Sequence, residues 1–98
     1  MLVRIVKMRF RESEILTFLN NFEQVKKSIR AFPGCQFLEL YRGHDDPRIF
    51  FTYSYWDAAE ALENYRHSEL FKGVWAETKP MFSDKPEAWS VDKLVSLE

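Results

Sequence analysis

Apolar positions recur along this chain with two periods, and the switch between them marks its elements. From Leu2 to Phe10 the period is two. One phase holds Leu2, Arg4, Val6, Met8 and Phe10; the other holds Val3, Ile5, Lys7 and Arg9. The first phase is mostly apolar and the second half apolar, so the strand has no plain solvent face. Arg11-Glu12-Ser13 links this strand to a helix, with Ser13 placed to cap it. Ile15, Phe18, Leu19, Phe22, Val25 and Ile29 then repeat at helical spacing. Lys26, Lys27 and Arg30 complement the negative end of that helix, and Pro33-Gly34 stops it.

Cys35 to Arg42 returns to strand periodicity, with Cys35, Phe37, Glu39 and Tyr41 in one phase and Leu38 and Leu40 in the other. Gly43 to Pro47 is turn chemistry, so the next strand, Ile49 to Trp56, pairs with it as a hairpin. That strand carries large rings in both phases: Phe51, Tyr53 and Tyr55 in one, Phe50 and Trp56 in the other. Both of its faces therefore need cover. Asp57 to Glu60 has the form of a capping box opening a helix to about Arg66. Ser68 offers a second cap, with the stripe Leu70, Phe71, Val74, Trp75 and Thr78 after it. Pro80 ends this helix nearby, Met81 to Pro86 reads as a loop, and Ala88 to Leu94 is the last strand.

The order strand, helix, strand, strand, helix pair, strand is the split βαβ plan. It predicts an α+β, ferredoxin-like domain over residues 1–98, with one antiparallel four-stranded sheet. Helices cover one sheet face. The other still carries apolar and aromatic residues, a patch too large for a lone monomer. A second copy placed sheet against sheet covers it, so a homodimer is expected.

Composition sharpens this reading. A chain of 98 residues buries only about two-thirds of its unfolded surface, so its own core is thin. Aromatics make up 16%, which calls for a core or a ring-lined cavity. The formal net charge of −1 argues against a nucleic-acid partner. No apolar run reaches the ~20 residues of a membrane span, and Arg4, Lys7 and Arg9 interrupt the N-terminal run, unlike a signal peptide. The expectation is a cytoplasmic protein with no membrane partner. The single Cys35 cannot form an internal disulfide and reads as a small buried strand residue.

Ligand motifs are sparse. His44 and His67 are the only histidines, there is no CxxC or HxxH spacing, and the three glycines form no phosphate-binding loop. No metal and no nucleotide cofactor are expected. The remaining candidates are the aromatic set Tyr41, Tyr53, Tyr55, Tyr65, Trp75 and Trp89. Taken singly, each is ordinary core packing. Taken together they describe a pocket that stacks a flat ligand and orients it with phenol hydroxyls. His67, at a helix break, is either a surface residue or a proton acceptor.

The stretch FFTYSYWDAAEALENYRHSELFKGVWAETKPMFSDKPEAWSV, residues 50–91, resembles antibiotic biosynthesis monooxygenase domains, which include the quinol monooxygenases. The earlier FPGC ending of the first helix fits the same pattern. The most specific parts are the aromatic strand running into Trp56-Asp57, the Ser68-x-x-Phe71 break and the closing Ala88-Trp89-Ser90-Val91. The resemblance implies a dimeric α/β barrel with a pocket in each subunit between sheet and helices. It also implies oxygenation of phenols or quinols by O2 without metal, flavin or haem. Many members carry His at the positions of Tyr65 and Leu70. The haem-degrading branch has an Asn on the first strand, a Trp at the position of Tyr65 and a His at that of Trp75; none of these is present here.

The resemblance and the residues together give two expectations of function. One is a cofactor-independent monooxygenase, with Tyr65 holding a phenol oxygen, His67 as base, and Tyr53, Trp75, Tyr41 and Phe71 binding the substrate. The other is a dimeric module of the same fold that binds a small aromatic ligand without chemistry.

Overall fold

The computed structural model describes all 98 residues. Its elements are β1 (Leu2–Arg9), α1 (Ile15–Arg30), β2 (Cys35–Arg42), β3 (Ile49–Trp56), α2 (Ala59–Arg66), α3 (Glu69–Thr78) and β4 (Glu87–Asp92), with 3-10 turns at Glu12–Glu14 and Lys79–Met81. The sheet order is β2-β3-β1-β4 and every pairing is antiparallel. This is the ferredoxin-like arrangement expected from the order of elements. No helix is long and apolar enough to cross a membrane.

Strand alternation assigns the faces. Arg4, Ser54 and Ser90 sit at one level on neighbouring strands, so the phase of Arg4, Val6 and Met8 shares a face with Phe50, Thr52, Ser54 and Trp56. The helices cover this face. Phe10 is fully buried, stacked on Phe18 of α1 at 4.2 Å and edge-on to Phe50 at 5.6 Å. Met8, Ile15 and Met81 close the same cluster. A second cluster at the other end joins Cys35, Trp56 and Leu62. The opposite sheet face is open: Tyr41, Trp89 and Val91 are each more than two-fifths exposed.

Some local expectations are corrected. Ser13 caps nothing; it lies in a 3-10 turn closed by the Glu14 amide on Arg11 O at 2.9 Å, and Glu14 is the N-cap of α1 without a side-chain bond. The Asp57–Glu60 capping box does not form, because Asp57 faces back toward the end of α1. Its amide donates to Gly34 O at 2.9 Å and its carboxylate accepts from Gln36 at 3.5 Å, leaving Ala58 as the N-cap of α2. Cys35 is buried but does not share a face with Phe37 and Tyr41. A bulge between Cys35 and Phe37 shifts the register and turns Cys35 onto Trp56. The last strand stops at Asp92 rather than Leu94, since Asp92 pairs with Leu2 and β1 offers no partner beyond it.

α1 ends at Arg30, capped by Ala31, before the expected Pro33-Gly34 stop; Gly34 lies in the turn into β2 with φ +88°, the left-handed region that side chains rarely adopt. A Cβ there would also overlap the Ala61 side chain, so the absence of one lets α2 pack close.

Candidate functional site

A cavity of about 320 Å³ lies between the covered sheet face and helices α1, α2 and α3. The helix pair α2–α3, which supplies part of its wall, bends at His67–Ser68. Ser68 sets that bend: its hydroxyl donates to Tyr65 O at 2.6 Å and accepts from the Phe71 amide at 3.1 Å. One residue thus closes α2 and caps α3, as the sequence predicts for Ser68.

The wall is mostly apolar, and six of its twenty lining residues are aromatic. Tyr65 stacks on Trp56 at 5.1 Å and meets Phe32 and Phe71 edge-on at 5.3 and 5.2 Å. Phe71 stacks with Trp75 at 5.9 Å and 11°, and Trp75 meets Phe82 at 5.5 Å. Val6, Met8 and Val74 add aliphatic surface. Trp56 is anchored by its indole N–H, which donates to Ser54 Oγ at 2.9 Å. Thr78 is tied back to Val74 O at 2.7 Å.

Burial pushes the Tyr65 phenol up to about 12, with the nearby Cys35 adding a smaller push. The hydroxyl therefore stays protonated in neutral solution. No protein hydrogen bond engages it, so it is free to serve a ligand oxygen. Burial likewise raises the Cys35 thiol.

Of the residues singled out in sequence, Tyr65, Phe71 and Trp75 come together in this cavity. Tyr41 and Tyr53 do not. They belong to the other strand phase and lie edge to face at 5.1 Å on the open sheet face, where the Tyr41 hydroxyl donates to the Glu39 carboxylate. Tyr55 shares that face, stacked on Phe37 at 4.3 Å and capped by the Lys93 ammonium at 4.1 Å. His67 is also outside the cavity. Its side chain is 72% exposed, and Nδ1 lies 2.9 Å from Glu63 O, which folds the ring back along α2. No His, Cys, Asp and Glu cluster of three or more is placed to hold a metal.

Sequence reasoning missed the cavity's cations and hydroxyls. Arg4, Arg66, Thr52 and Ser54 all line it. Arg4 is legible as the one charge in the mostly apolar phase of β1, and Thr52 and Ser54 as the small polar members of the phase that holds Phe50 and Trp56. Arg4 is half-buried and donates to Ser90 Oγ at 3.0 Å.

The profile of the antibiotic biosynthesis monooxygenase family matches residues 1–76. The chain belongs to this family. Among solved structures, it is similar to an antibiotic biosynthesis monooxygenase at 19% identity and TM-score 0.90, covering 97% of this chain and all of that one. A conserved protein from Methanosarcina mazei matches at 18% identity and TM-score 0.88, over 95% of this chain and 93% of that one. A protein from Mycobacterium tuberculosis matches at 15% and 0.89, over 99% and 98%. At these identities the structures speak to the fold. No curated protein matches the chain at a significant level. In this family member the cavity lies between sheet and helices, and Tyr65 supplies its phenol.

Proposed function

We propose that this family member is a monooxygenase that oxidises a phenolic or quinol-type small aromatic molecule with O2, using no cofactor of its own. The observation that carries the reading is the Tyr65 hydroxyl, protonated and without a protein partner, in a ring-walled cavity of about 320 Å³. That volume is at the small end of small-molecule sites, roughly 300–1,000 Å³.

The reaction balances without another reductant. A phenol with a ring C–H, plus O2, becomes a quinone and water; the substrate supplies all the electrons and one oxygen atom stays on the ring. The difficult part is generating the electron-rich phenolate and keeping it from water. The rings of Trp56, Phe71 and Trp75 exclude water and hold the substrate flat. Tyr65 donates to the oxygen on which negative charge develops, which stabilises the phenolate most where the surroundings are least polar. His67 is too exposed to act as the base in this arrangement. The substrate proton passes to solvent at the cavity mouth.

The working unit in this reading is a homodimer joined through the open sheet faces, forming an α/β barrel. The exposed Tyr41, Trp89 and Val91 support it.

The test is O2 uptake by purified protein with a panel of dihydroxynaphthalenes. Uptake in which one oxygen atom of O2 is retained in a hydroxylated quinone and the other leaves as water, without hydrogen peroxide, supports the monooxygenase. Saturable binding with no uptake in any member of the panel replaces it with an aromatic-ligand binding module.

A further inference from the structure

We propose that the cavity takes an aromatic ligand bearing a carboxylate, gripped by Arg4 from the sheet and Arg66 from the end of α2. This rests on reading the cavity as an aromatic-ligand site and adds the ligand's charge to it.

A guanidinium partly withdrawn from water needs a counter-charge to offset lost hydration. Arg4 has none. It sits on the helix-covered face, opposite Ser54 and Ser90, and its side-chain partner is the neutral Ser90 hydroxyl. None of the chain's ion pairs includes it. Instead a second guanidinium, that of Arg66, is close enough to act on it, and both Arg4 and Arg66 line the cavity. Burial and this like charge together depress the Arg4 pKa, against a smaller opposing influence of Glu63.

The acidic groups nearby leave Arg4 without an ion pair and engage Arg66 only at the protein surface. Glu63 is shared on α2, with its carboxylate 3.4 Å from Arg66 and 3.5 Å from His67, and more than half exposed. Glu87 reaches the cavity wall, but its register partner is Lys7, so alternation turns its side chain to the open sheet face. Two cationic forks thus border a cavity whose one acidic lining residue, Glu87, belongs to the other strand phase, while Glu63 pairs with Arg66 outside that lining. A carboxylate matches the fork geometry of Arg and relieves the repulsion between the two. The rings of Tyr65, Phe71 and Trp75 take the flat remainder of the ligand.

The probes are 2-naphthoate and its uncharged isostere naphthalene-2-carboxamide, titrated calorimetrically at neutral pH. Wild type is expected to bind the carboxylate at least about tenfold more tightly than the amide, the scale of a hydrogen bond to a charged group. Arg4→Gln and Arg66→Gln should each remove most of that preference, lowering affinity for the carboxylate more than for the amide. Arg4→Lys keeps the charge, loses the fork, and should retain part of it. Because Arg66 is on the partly exposed end of α2, its variant carries the test if Arg4→Gln fails to fold. Equal affinity for the two probes in wild type overturns the anion subsite and leaves the aromatic site standing. A preference untouched in Arg66→Gln also overturns it. Binding of neither probe overturns both the subsite and the aromatic-ligand reading.

Discussion

Tyr65 lies against Trp56 with ring centroids 5.1 Å apart and planes 27° apart. Trp56 is the end of β3 and is 1% exposed; Tyr65 is in the last turn of α2. The stack fixes the phenol ring from behind and leaves its hydroxyl unengaged. Structure and chemistry therefore separate on one side chain. Tyr65→Phe keeps the ring contacts, so its unfolding free energy should change by no more than about 0.5 kcal/mol. Turnover of a phenolic substrate should fall by about one to two orders of magnitude. Paired thermal melts and O2 uptake check both. Full activity in the folded variant would remove Tyr65 from the mechanism.

The same burial has an alkaline signature. The Tyr65 pKa is raised in the folded state from 10.0 to about 12, so above pH 10 the unfolded chain loses a proton that the folded chain keeps. Stability is intact below the unfolded value and drops as pH climbs from about 10 to 12. The full loss is about 2–3 kcal/mol for a shift of this size. Tyr65→Phe lacks this contribution while sharing every other tyrosine. Denaturant melts of both proteins from about pH 9 to 11.5 should show wild type losing more stability than the variant. Parallel losses would place the phenol in water.

The open sheet face gives the assembly prediction. Trp89 and Val91 are exposed on β4, and Phe37, Tyr53 and Tyr55 lie on the same face. Light scattering at micromolar concentration should give twice the 11.7 kDa chain mass. Trp89→Asp places an unpaired charge in that contact and should yield a folded monomer or a much weaker dimer. An 11.7 kDa mass for wild type would refute the face-to-face dimer.

How much of the fold and site is readable in the sequence depends on which signals are local. Element order and type come from periodicity, and the ferredoxin-like plan comes from that order. The rings of β3 fill both strand phases, so periodicity does not say which phase faces the helices; it groups Tyr53 and Tyr41 with Tyr65 although the sheet separates them. A bulge is equally silent in sequence, and it moves Cys35 to the other face. His67 looks chemical because it stands at the break, yet a residue there is free to turn outward, and it does. Arg4 carries the opposite lesson. A charge in an apolar phase is a site signal when the covered face contains a cavity.

Gly34 links the turn after α1 to the start of α2. Gly34→Ala adds a Cβ in the left-handed region and against Ala61. Left-handed strain is about 1–2 kcal/mol, and the overlap adds to it. The melting temperature should drop by at least 4–8 °C, the roughly expected shift per kcal/mol for a domain of this size. An unchanged melt would mean that α2 stands off from this turn.

Ser68 tests whether the bend between α2 and α3 shapes the cavity. Its hydroxyl does two jobs: it accepts from the Phe71 amide at 3.1 Å and donates to Tyr65 O at 2.6 Å. Those partners flank the break and carry two rings of the cavity wall, which meet edge-on at 5.2 Å. Ser68→Ala removes both bonds and should cost about 1 kcal/mol, the usual loss for an N-cap. Ser68→Asp restores the acceptor and adds a favourable charge at the start of α3, but an ionised carboxylate cannot donate to Tyr65 O. The Ser68→Asp variant should therefore recover most of the stability without recovering the hold on the end of α2. If that hold positions Tyr65 and Phe71, ligand affinity should fall in both variants while stability falls only in Ser68→Ala. Melts and naphthoate titrations on the two variants separate the effects. Affinity that tracks stability in both would assign Ser68 to helix capping alone.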